Sequence, residues 1–317
     1  MKKLLAVLLA AIMVFALAAC GGSGDDKTTA APDGSSNAPA DTSAYKVAMI
    51  TDYGDITDES FNQTTYEACK AFSEENKIGF SYFKPAGDST ADRVAMIDKA
   101  VAEGYNVIVM PGYAFGGAIF EAAPKYKDVK FIALDVGKGD ILETAVAAKG
   151  EKYSYNPDDY KLEDYADISN VYCAVYQEEL CGYMAGYAAV KLGYEKLGFL
   201  GGMAVPAVVR YGYGFVQGVD AAAKELNKKV DLNYVYGGQF NGDADITAVM
   251  DTWYGKGTEV VFACGGGIYT SAAEAAKKAG GKVIGVDVDQ AAIIDGKYGK
   301  GITVTSAMKG LYPATYD

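Results

Sequence analysis

Residues 91–110 read ADRVAMIDKAVAEGYNVIVM. In the first part of this stretch, Val94, Ile97 and Val101 recur at helical spacing with charged residues between them. Val107–Met110 is instead an uninterrupted apolar run, which is typical of a strand buried on both faces. An amphipathic helix that leads into such a strand predicts a parallel sheet covered by helices.

The same alternation continues on both sides of this stretch, from Tyr45 onward. The predicted strands are 46–51, 79–84, 107–110, 130–134, 171–176, 197–201, 230–236, 260–263 and 283–287, and the predicted helices are 63–75, 91–103, 117–126, 178–192, 208–226, 245–254 and 269–279. Two series of this kind predict an α/β protein with two doubly wound lobes. We expect residues 45–176 plus 297–317 in the N-terminal lobe and residues 177–296 in the C-terminal lobe.

The amino terminus has the features of an export signal. Lys2 and Lys3 precede an apolar run from Leu4 to Ala19, which is too short for a standard membrane-spanning helix. The ending Leu17-Ala18-Ala19-Cys20 resembles a bacterial lipobox. It implies a signal peptide over residues 1–19 and lipid attachment, including palmitate, at Cys20. An ordinary signal peptide with an incidental cysteine is the alternative.

Residues 20–44 contain few large apolar side chains and are expected to form a flexible linker. The sequence therefore predicts a protein anchored by lipid to the extracytoplasmic face of a bacterial cell membrane.

Composition excludes several function classes. The net charge of −12 disfavours nucleic acid as a partner, because an acidic surface repels phosphates. The chain has no histidine, which removes the Ser-His-Asp and Cys-His catalytic arrangements. No C-x-x-C pair supports a zinc site, and we expect no metal and no cofactor. The cysteines after Cys20 are expected as buried free thiols, with disulfides in one of three pairings as the alternative; they are Cys69, Cys173, Cys181 and Cys264.

Polar residues cluster where predicted strands end. Ligands of parallel α/β sheets bind beyond the carboxyl ends of the strands. This rule selects Asp52, Phe61, Asn62, Asp135, Gly265–Gly267 and Asp287. Ser60 and Gln63 have the spacing of a capping box, so a helix is expected to begin at Phe61. Carboxylates in both lobes that face one cleft indicate a ligand rich in hydroxyl groups.

At these residues the chain resembles the basic membrane protein family of substrate-binding lipoproteins, whose known members bind nucleosides for an ATP-binding cassette importer. The matching stretches are Asp52 with Asp58–Gln63, Phe131–Asp135, Gly182–Gly186, Gly198–Gly202, Val209–Tyr211 with Gly214–Phe215, Gly285–Gln290 and Thr305–Lys309. The resemblance implies the type I periplasmic-binding-protein fold, in which two α/β lobes joined by a hinge close on the ligand.

The resemblance also implies roles for individual residues. Phe61 matches an aromatic ring that stacks on the base, and Tyr211 matches a second ring on the other lobe. Asp52 and Asp135 match acidic positions that face the ligand, with Asp135 reading the base. The remaining matches are Asn62 beside Phe61, Asp287 with Lys309 as the pair that holds the ribose hydroxyls, and Gly265 in a glycine-rich turn. Tyr53 departs from the family pattern, because some members have asparagine there, and this implies different hydrogen bonding of the base edge.

These expectations make the chain a nucleoside-binding protein, with purine nucleosides favoured, and not an enzyme. The implied partners are a nucleoside, the permease and ATPase subunits of an importer, and the membrane through the lipid anchor; a monomer is expected. A binding protein for a sugar or another hydroxylated solute is the alternative, and a nucleoside hydrolase with Asp52, Asp55 and Asp58 around a metal is the second. The chain stops at Asp317, earlier than family members usually do, and this suggests a truncated or short member.

Overall fold

A computed structural model describes residues 44–52 and 54–317. The predicted signal peptide, Cys20, nearly all of the predicted linker, and Tyr53 lie outside the described residues. The first lobe contains a five-stranded parallel sheet in the order β2-β1-β3-β4-β5. Its strands are β1 (Lys46–Ile50), β2 (Gly79–Phe83), β3 (Val107–Pro111), β4 (Lys130–Leu134) and β5 (Val171–Ala174).

The second lobe repeats this topology with a sheet in the order β10-β9-β8-β6-β7. Its strands are β6 (Lys196–Gly201), β7 (Asp231–Tyr236), β8 (Val260–Cys264), β9 (Lys282–Asp287) and β10 (Thr303–Met308). In both lobes the chain starts at an inner strand, moves outward by one strand, and then returns across the sheet. This confirms the predicted class of two parallel-sheet α/β lobes.

Helices connect the strands in each lobe. They are α1 (Phe61–Asn76), α2 (Thr90–Ala102), α3 (Gly116–Lys125), α4 (Lys138–Ala148), α5 (Glu178–Lys191), α6 (Pro206–Glu225), α7 (Ala244–Gly255), α8 (Tyr269–Ala279), α9 (Ala291–Tyr298) and α10 (Leu311–Tyr316). Central strands such as β8 are buried at every position, because helices cover both faces of the sheet. The aromatic core of the second lobe forms where Phe199, Phe215 and Phe262 pack together.

Helices α5 and α6 pack with their backbones in contact. A Cβ atom on Gly182 would lie 2.1 Å from the carbonyl oxygen of Tyr211, and one on Gly214 would lie 1.9 Å from that of Glu179. Glycine is therefore required at both positions. This close approach brings the first turns of the two helices together, which places Glu178 beside Arg210.

The end of the chain corrects one predicted boundary. Strand β10 pairs with β9 in the second sheet, so Thr303–Met308 belongs to the second lobe and not to the first. Helix α10 does pack against α1 of the first lobe, where Tyr316 and Phe72 make an edge-to-face contact at 5.8 Å. The expected assignment of 297–317 to the N-terminal lobe is thus wrong for β10.

Within the described ranges, no helix is both long and apolar enough to cross a bilayer. No group of histidine, cysteine and acidic side chains in this part of the chain has the arrangement of a metal site. The four cysteines there are free thiols, as expected. Cys69 and Cys264 are buried, whereas Cys173 and Cys181 are only half-buried.

Candidate ligand-binding cleft

A cavity of about 330 Å³ lies between the two lobes, at the carboxyl ends of both sheets. All eight candidate site residues line it: Asp52, Phe61, Asn62, Asp135, Tyr211, Gly265, Asp287 and Lys309. Met203, Val205, Ala207 and Val208 supply an apolar wall from the second lobe. Six of these eight were selected by the strand-end rule, which brings residues distant in sequence to the same edges of the sheets; Tyr211 and Lys309 were selected by the family resemblance.

A buried charge cluster forms one end of the cavity. The Lys309 ammonium group contacts the Asp135 carboxylate and lies 3.2 Å from Glu178 Oε1 and 3.6 Å from Asp287 Oδ1. Arg210 Nε donates to Glu178 Oε2 at 2.6 Å, and its Nη2 lies 3.7 Å from Asp135 Oδ1. Three carboxyl groups from both lobes thus share two cations in a largely buried environment.

This excess of acidic groups alters the protonation of the cluster. Burial raises the pKa of Asp135 to about 6, and nearby Glu178 adds to this effect against the opposing pull of Lys309. Burial acts to lower the pKa of Lys309, but Asp135, Asp287 and Glu178 outweigh it, so the pKa of Lys309 is raised. Lys309 is therefore a permanent cation, whereas Asp135 titrates in a mildly acidic range.

The raised pKa of Asp135 predicts a pH dependence of stability. The folded state holds this proton more tightly than the unfolded state between the usual value of 3.8 and about 6. Protonation of Asp135 stabilises the folded state in full at pH values below the unfolded-state pKa, and this stabilisation is lost as pH rises through the folded-state pKa. The neutral variant Asp135→Asn lacks this dependence. As pH rises from 4 to 7, the difference in free energy of unfolding between the variant and wild type should therefore shift in favour of the variant by on the order of 2–3 kcal/mol.

Urea unfolding at several pH values measures this difference. Asp128→Asn, a change at an exposed carboxylate of the same lobe, serves as the control and should show little gain. A pH-independent difference between wild type and Asp135→Asn would contradict the assignment of the raised pKa to Asp135.

Ser60 connects the two lobes instead of capping its own helix. Helix α1 begins at Phe61 with Ser60 at the N-cap, as expected, but the Ser60 side chain makes no capping bond. Its hydroxyl donates to Asp287 Oδ2 of the other lobe at 2.6 Å. Asp58 takes over the capping role and accepts from the backbone N–H groups of Ser60, Asn62 and Gln63. The predicted capping box is therefore wrong, because a charged acceptor across the cleft competes for the hydroxyl.

Asn62 holds a second acidic group at the cavity wall. Its amide nitrogen donates to Asp52 Oδ1 at 2.9 Å and to Asp58 Oδ2 at 3.0 Å. Gly112 lies directly against Asp52, and a Cβ atom there would be 2.5 Å from Asp52 Oδ2. Its φ of 122° also favours glycine. The Asp52 carboxylate is thus fixed in orientation by its surroundings.

Asp135 and Asp287 occupy equivalent positions in the two lobes. Asp135 directly follows β4 and Asp287 ends β9, and each of these is the fourth strand of its lobe along the chain. Both residues have a left-handed backbone, with φ values of 58° and 66°. This conformation is uncommon for residues other than glycine, although aspartate adopts it more readily than most. Here it accompanies the convergence of the two carboxylates on Lys309 from opposite sides of the cleft.

The aromatic lining contains both expected residues, Phe61 and Tyr211, and also Phe240. Phe61 is half-buried on the cavity, with Lys309 Nζ 4.6 Å from its ring centroid. Tyr211 is only 1% exposed; its hydroxyl donates to Asp287 Oδ1 at 3.4 Å, and its ring packs edge-on against Phe262. Phe240, on the loop after β7, also lines the cavity and is half-buried. Applying the strand-end rule to residues 237–242 would have identified Phe240.

Gly265 and Glu178 also shape the region of the cleft. A Cβ atom on Gly265 would lie 3.0 Å from Gly202 Cα, so glycine allows the ends of β8 and β6 to approach each other beside the cavity. Glu178 lies in the first turn of α5, where a negative charge generally complements the helix dipole. It is fully buried, however, and bridges Lys309 and Arg210. Sequence spacing gave no signal for this role, because its partners are distant along the chain.

Comparisons with known proteins agree with this architecture. The profile of the family described as "ABC transporter substrate-binding protein PnrA-like" matches residues 45–316. The ABC transporter nucleoside-binding protein BmpA of Lactococcus lactis is 28% identical over 258 residues, which are 77% of this chain and 64% of that protein. Basic membrane protein B of Borreliella afzelii is 26% identical over 87% of this chain and 72% of its own length.

Among solved structures, a solute-binding protein of an ABC transporter system from Aeropyrum pernix superposes with a TM-score of 0.67 at 20% identity, over 86% of this chain and 69% of that one. Among the relatives, the match to the Lactococcus protein spans just under two thirds of that protein's length. The profile match covers nearly all of the described residues and includes every residue that lines the cleft. This protein belongs to the PnrA-like family of ABC transporter substrate-binding proteins.

Proposed function

We propose that this protein binds purine nucleosides in the cleft between its lobes and presents them to an ABC importer. The observation that carries the proposal is the arrangement of one cavity: a buried group of acidic and basic side chains lies beside the half-buried ring of Phe61. A nucleoside has the matching parts, since its ribose offers vicinal hydroxyls and its base offers a flat aromatic surface. The name of the Lactococcus relative gives independent support.

We assign the ribose to the charge cluster. The Asp287 carboxylate can accept hydrogen bonds from two adjacent hydroxyls, and Lys309 can donate to either of them. Asp135 shares Lys309 with Asp287, so it lies in the same cluster and not at a separate position for the base. We therefore propose that Asp135 also serves the sugar, which changes the role inferred from the family resemblance.

We assign the base to Phe61 and Phe240. Tyr211 has almost no exposed surface and already packs against Phe262, so it supports the site without offering a free ring face. Phe61 and Phe240 come from different lobes, and each has surface on the cavity. Aromatic stacking contributes about 1–3 kcal/mol for each base, with little dependence on base identity.

This assignment predicts the effect of removing one ring. Phe240→Ala should weaken inosine and guanosine binding by about 5- to 150-fold, the range that corresponds to the loss of one stacking contact. Tyr211→Phe, which keeps the ring, should weaken binding much less. Isothermal titration measures both, with Tyr213→Ala as a control because Tyr213 is 63% exposed and absent from the cavity lining. An unchanged affinity of Phe240→Ala would refute its role in stacking.

Charge supports nucleosides over nucleotides. The cavity lining includes the carboxyl groups of Asp52, Asp58, Asp88, Asp135 and Asp287, whereas Lys309 is the only cation among the lining residues that the structure describes. A phosphate group would enter a field of the same sign, at a cost that low-dielectric walls increase. Neutral ligands avoid this repulsion.

The cellular setting of the proposal follows from the family and the sequence. An anchor at Cys20 would hold the protein at the extracytoplasmic face, where a substrate-binding protein meets its permease. We propose the importer's permease and ATPase subunits as partners and a monomer as the working form. Closure of two lobes on a ligand that contacts both of them provides the signal that such a partner can recognise.

A comparison of thermal shifts with different ligands tests the proposed ligand class. Inosine, guanosine and adenosine should raise the melting temperature of the protein at concentrations where ribose and galactose have no effect. Stabilisation by a free sugar alone would instead identify a sugar-binding protein. Release of free base and ribose from inosine during the incubation would identify a hydrolase, and either result would overturn the proposal.

A further inference from the structure

Gln290 forms a contact between the lobes outside the ligand cavity. It lies between β9 and α9 of the second lobe and is 1% exposed, yet it is absent from the cavity lining. Its side-chain nitrogen donates to the backbone carbonyl of Glu59, in the first lobe, at 3.1 Å. A longer contact, at 3.5 Å, joins the same nitrogen to the carbonyl of Gly266 in its own lobe.

The second lobe fixes this side chain in its orientation. The Gln290 side-chain oxygen accepts from the backbone N–H of Val286 at 3.0 Å, which directs the nitrogen toward the first lobe. Space for the side chain depends on Gly285, since a Cβ atom there would lie 2.9 Å from the Gln290 side-chain oxygen. The Gln290 backbone N–H also donates to the Ser306 hydroxyl of β10, a bond within the second lobe.

The acceptor in the first lobe is also held in an unusual geometry. Glu59 has a left-handed backbone with φ of 53°, and its N–H donates to the Gln63 side chain at 3.1 Å. Its carbonyl thereby turns toward the second lobe, one residue before the hydroxyl of Ser60 reaches Asp287. The segment before α1 therefore makes two adjacent hydrogen bonds across the cleft, one at the cavity wall and one outside it.

We infer that Gln290 is a positioning residue for ligand binding that stabilises the closed arrangement of the lobes without touching the ligand. A hydrogen bond that exists only when the lobes are together shifts the opening equilibrium toward the closed state. Every ligand that binds the closed state then gains the same factor in affinity. The inference concerns closure and applies to any small solute; only its test with nucleosides rests on the proposed function.

Three variants separate this role from general structural support. Gln290→Glu, studied at pH 8, keeps the length and the acceptor for Val286 but replaces the amide donor; Gln290→Met removes both groups. Ser306→Ala removes the bond between the Gln290 backbone and β10, which lies within the second lobe and does not cross the cleft. Titration and stopped-flow dissociation with inosine, guanosine and adenosine measure the consequences for binding.

Both Gln290 variants should weaken all three nucleosides by the same factor, about five- to tenfold for one hydrogen bond, through faster dissociation. Ser306→Ala should stay within about twofold of wild type. Unequal factors among the nucleosides would show a direct ligand contact, and unchanged affinities would show that the bond does not contribute. Either result overturns the inference.

If no nucleoside binds the wild type, the proposed function fails, and small-angle scattering of the ligand-free protein then tests closure by itself. The radius of gyration of Gln290→Met should exceed that of wild type and of Ser306→Ala. In that case, equal radii would overturn the inference.

Discussion

Replacing Asp287 with alanine is expected to reduce nucleoside affinity by about 100-fold or more, since hydrogen bonds to a charged group are worth about 1.5–3 kcal/mol each. In the proposed complex this carboxylate accepts from both ribose hydroxyls. The substitution also leaves Lys309 with one fewer counter-charge and removes the acceptor for Ser60 from the other lobe. Free nucleobases, which have no ribose, should lose much less affinity.

Titration of inosine and hypoxanthine against the same variant measures this contrast. Asp289→Ala is the matched control, because Asp289 is exposed two residues further along and its carboxylate accepts from the nearby Ala291 N–H. This control should bind inosine as wild type does. Equal losses for nucleoside and free base in Asp287→Ala would show that the carboxylate does not hold the sugar.

Lys309→Met is expected to have the largest effect on stability, with a loss of about 3–5 kcal/mol in the free energy of unfolding near pH 7. The Lys309 ammonium group is buried among Asp135, Glu178 and Asp287, and its removal leaves these carboxylates with Arg210 as the remaining cation of the cluster. The loss should be smaller at pH 5, where Asp135 is largely protonated because its pKa is about 6.

Chemical denaturation at both pH values measures the effect, and the exposed Lys300→Met provides the control. The double variant Lys309→Met, Asp135→Asn should recover part of the loss, since one unpaired charge is removed along with its partner. If the change in free energy of unfolding of the double variant equalled the sum of the changes of the two single variants, this would contradict direct coupling between Lys309 and Asp135.

Local patterns in the sequence predicted most of the fold. Strand β4 and helix α8 have the predicted bounds, because periodicity and turn residues define them without help from distant contacts. Helices α4 and α9 were missed: α4 has few charged positions to interrupt its apolar residues, and α9 is only 8 residues long. Which lobe contains β10 depends on its pairing with β9, and the hydrophobic pattern along the sequence does not predict strand pairing.

The candidate site was predictable where its residues follow strands. Asp135 and Asp287 illustrate this, because the ends of parallel strands meet at one edge whatever the sequence between them. Glu178 and Ser60 illustrate the opposite case. In isolated helices, local rules would make Glu178 a charge that complements the helix dipole and Ser60 a helix cap. Contacts across 131 and 227 residues of sequence give them their actual partners, Lys309 and Asp287.

The most direct test of the central claim compares inosine with 2′,3′-dideoxyinosine by titration calorimetry on the wild-type protein. The two ligands share the base, and only inosine has the hydroxyls that the cluster of Asp287 and Lys309 would hold. We expect inosine to bind and the dideoxy compound to bind at least about 100-fold more weakly, which corresponds to the loss of two charge-assisted hydrogen bonds. Equal affinities, or no binding of either compound, would contradict the account.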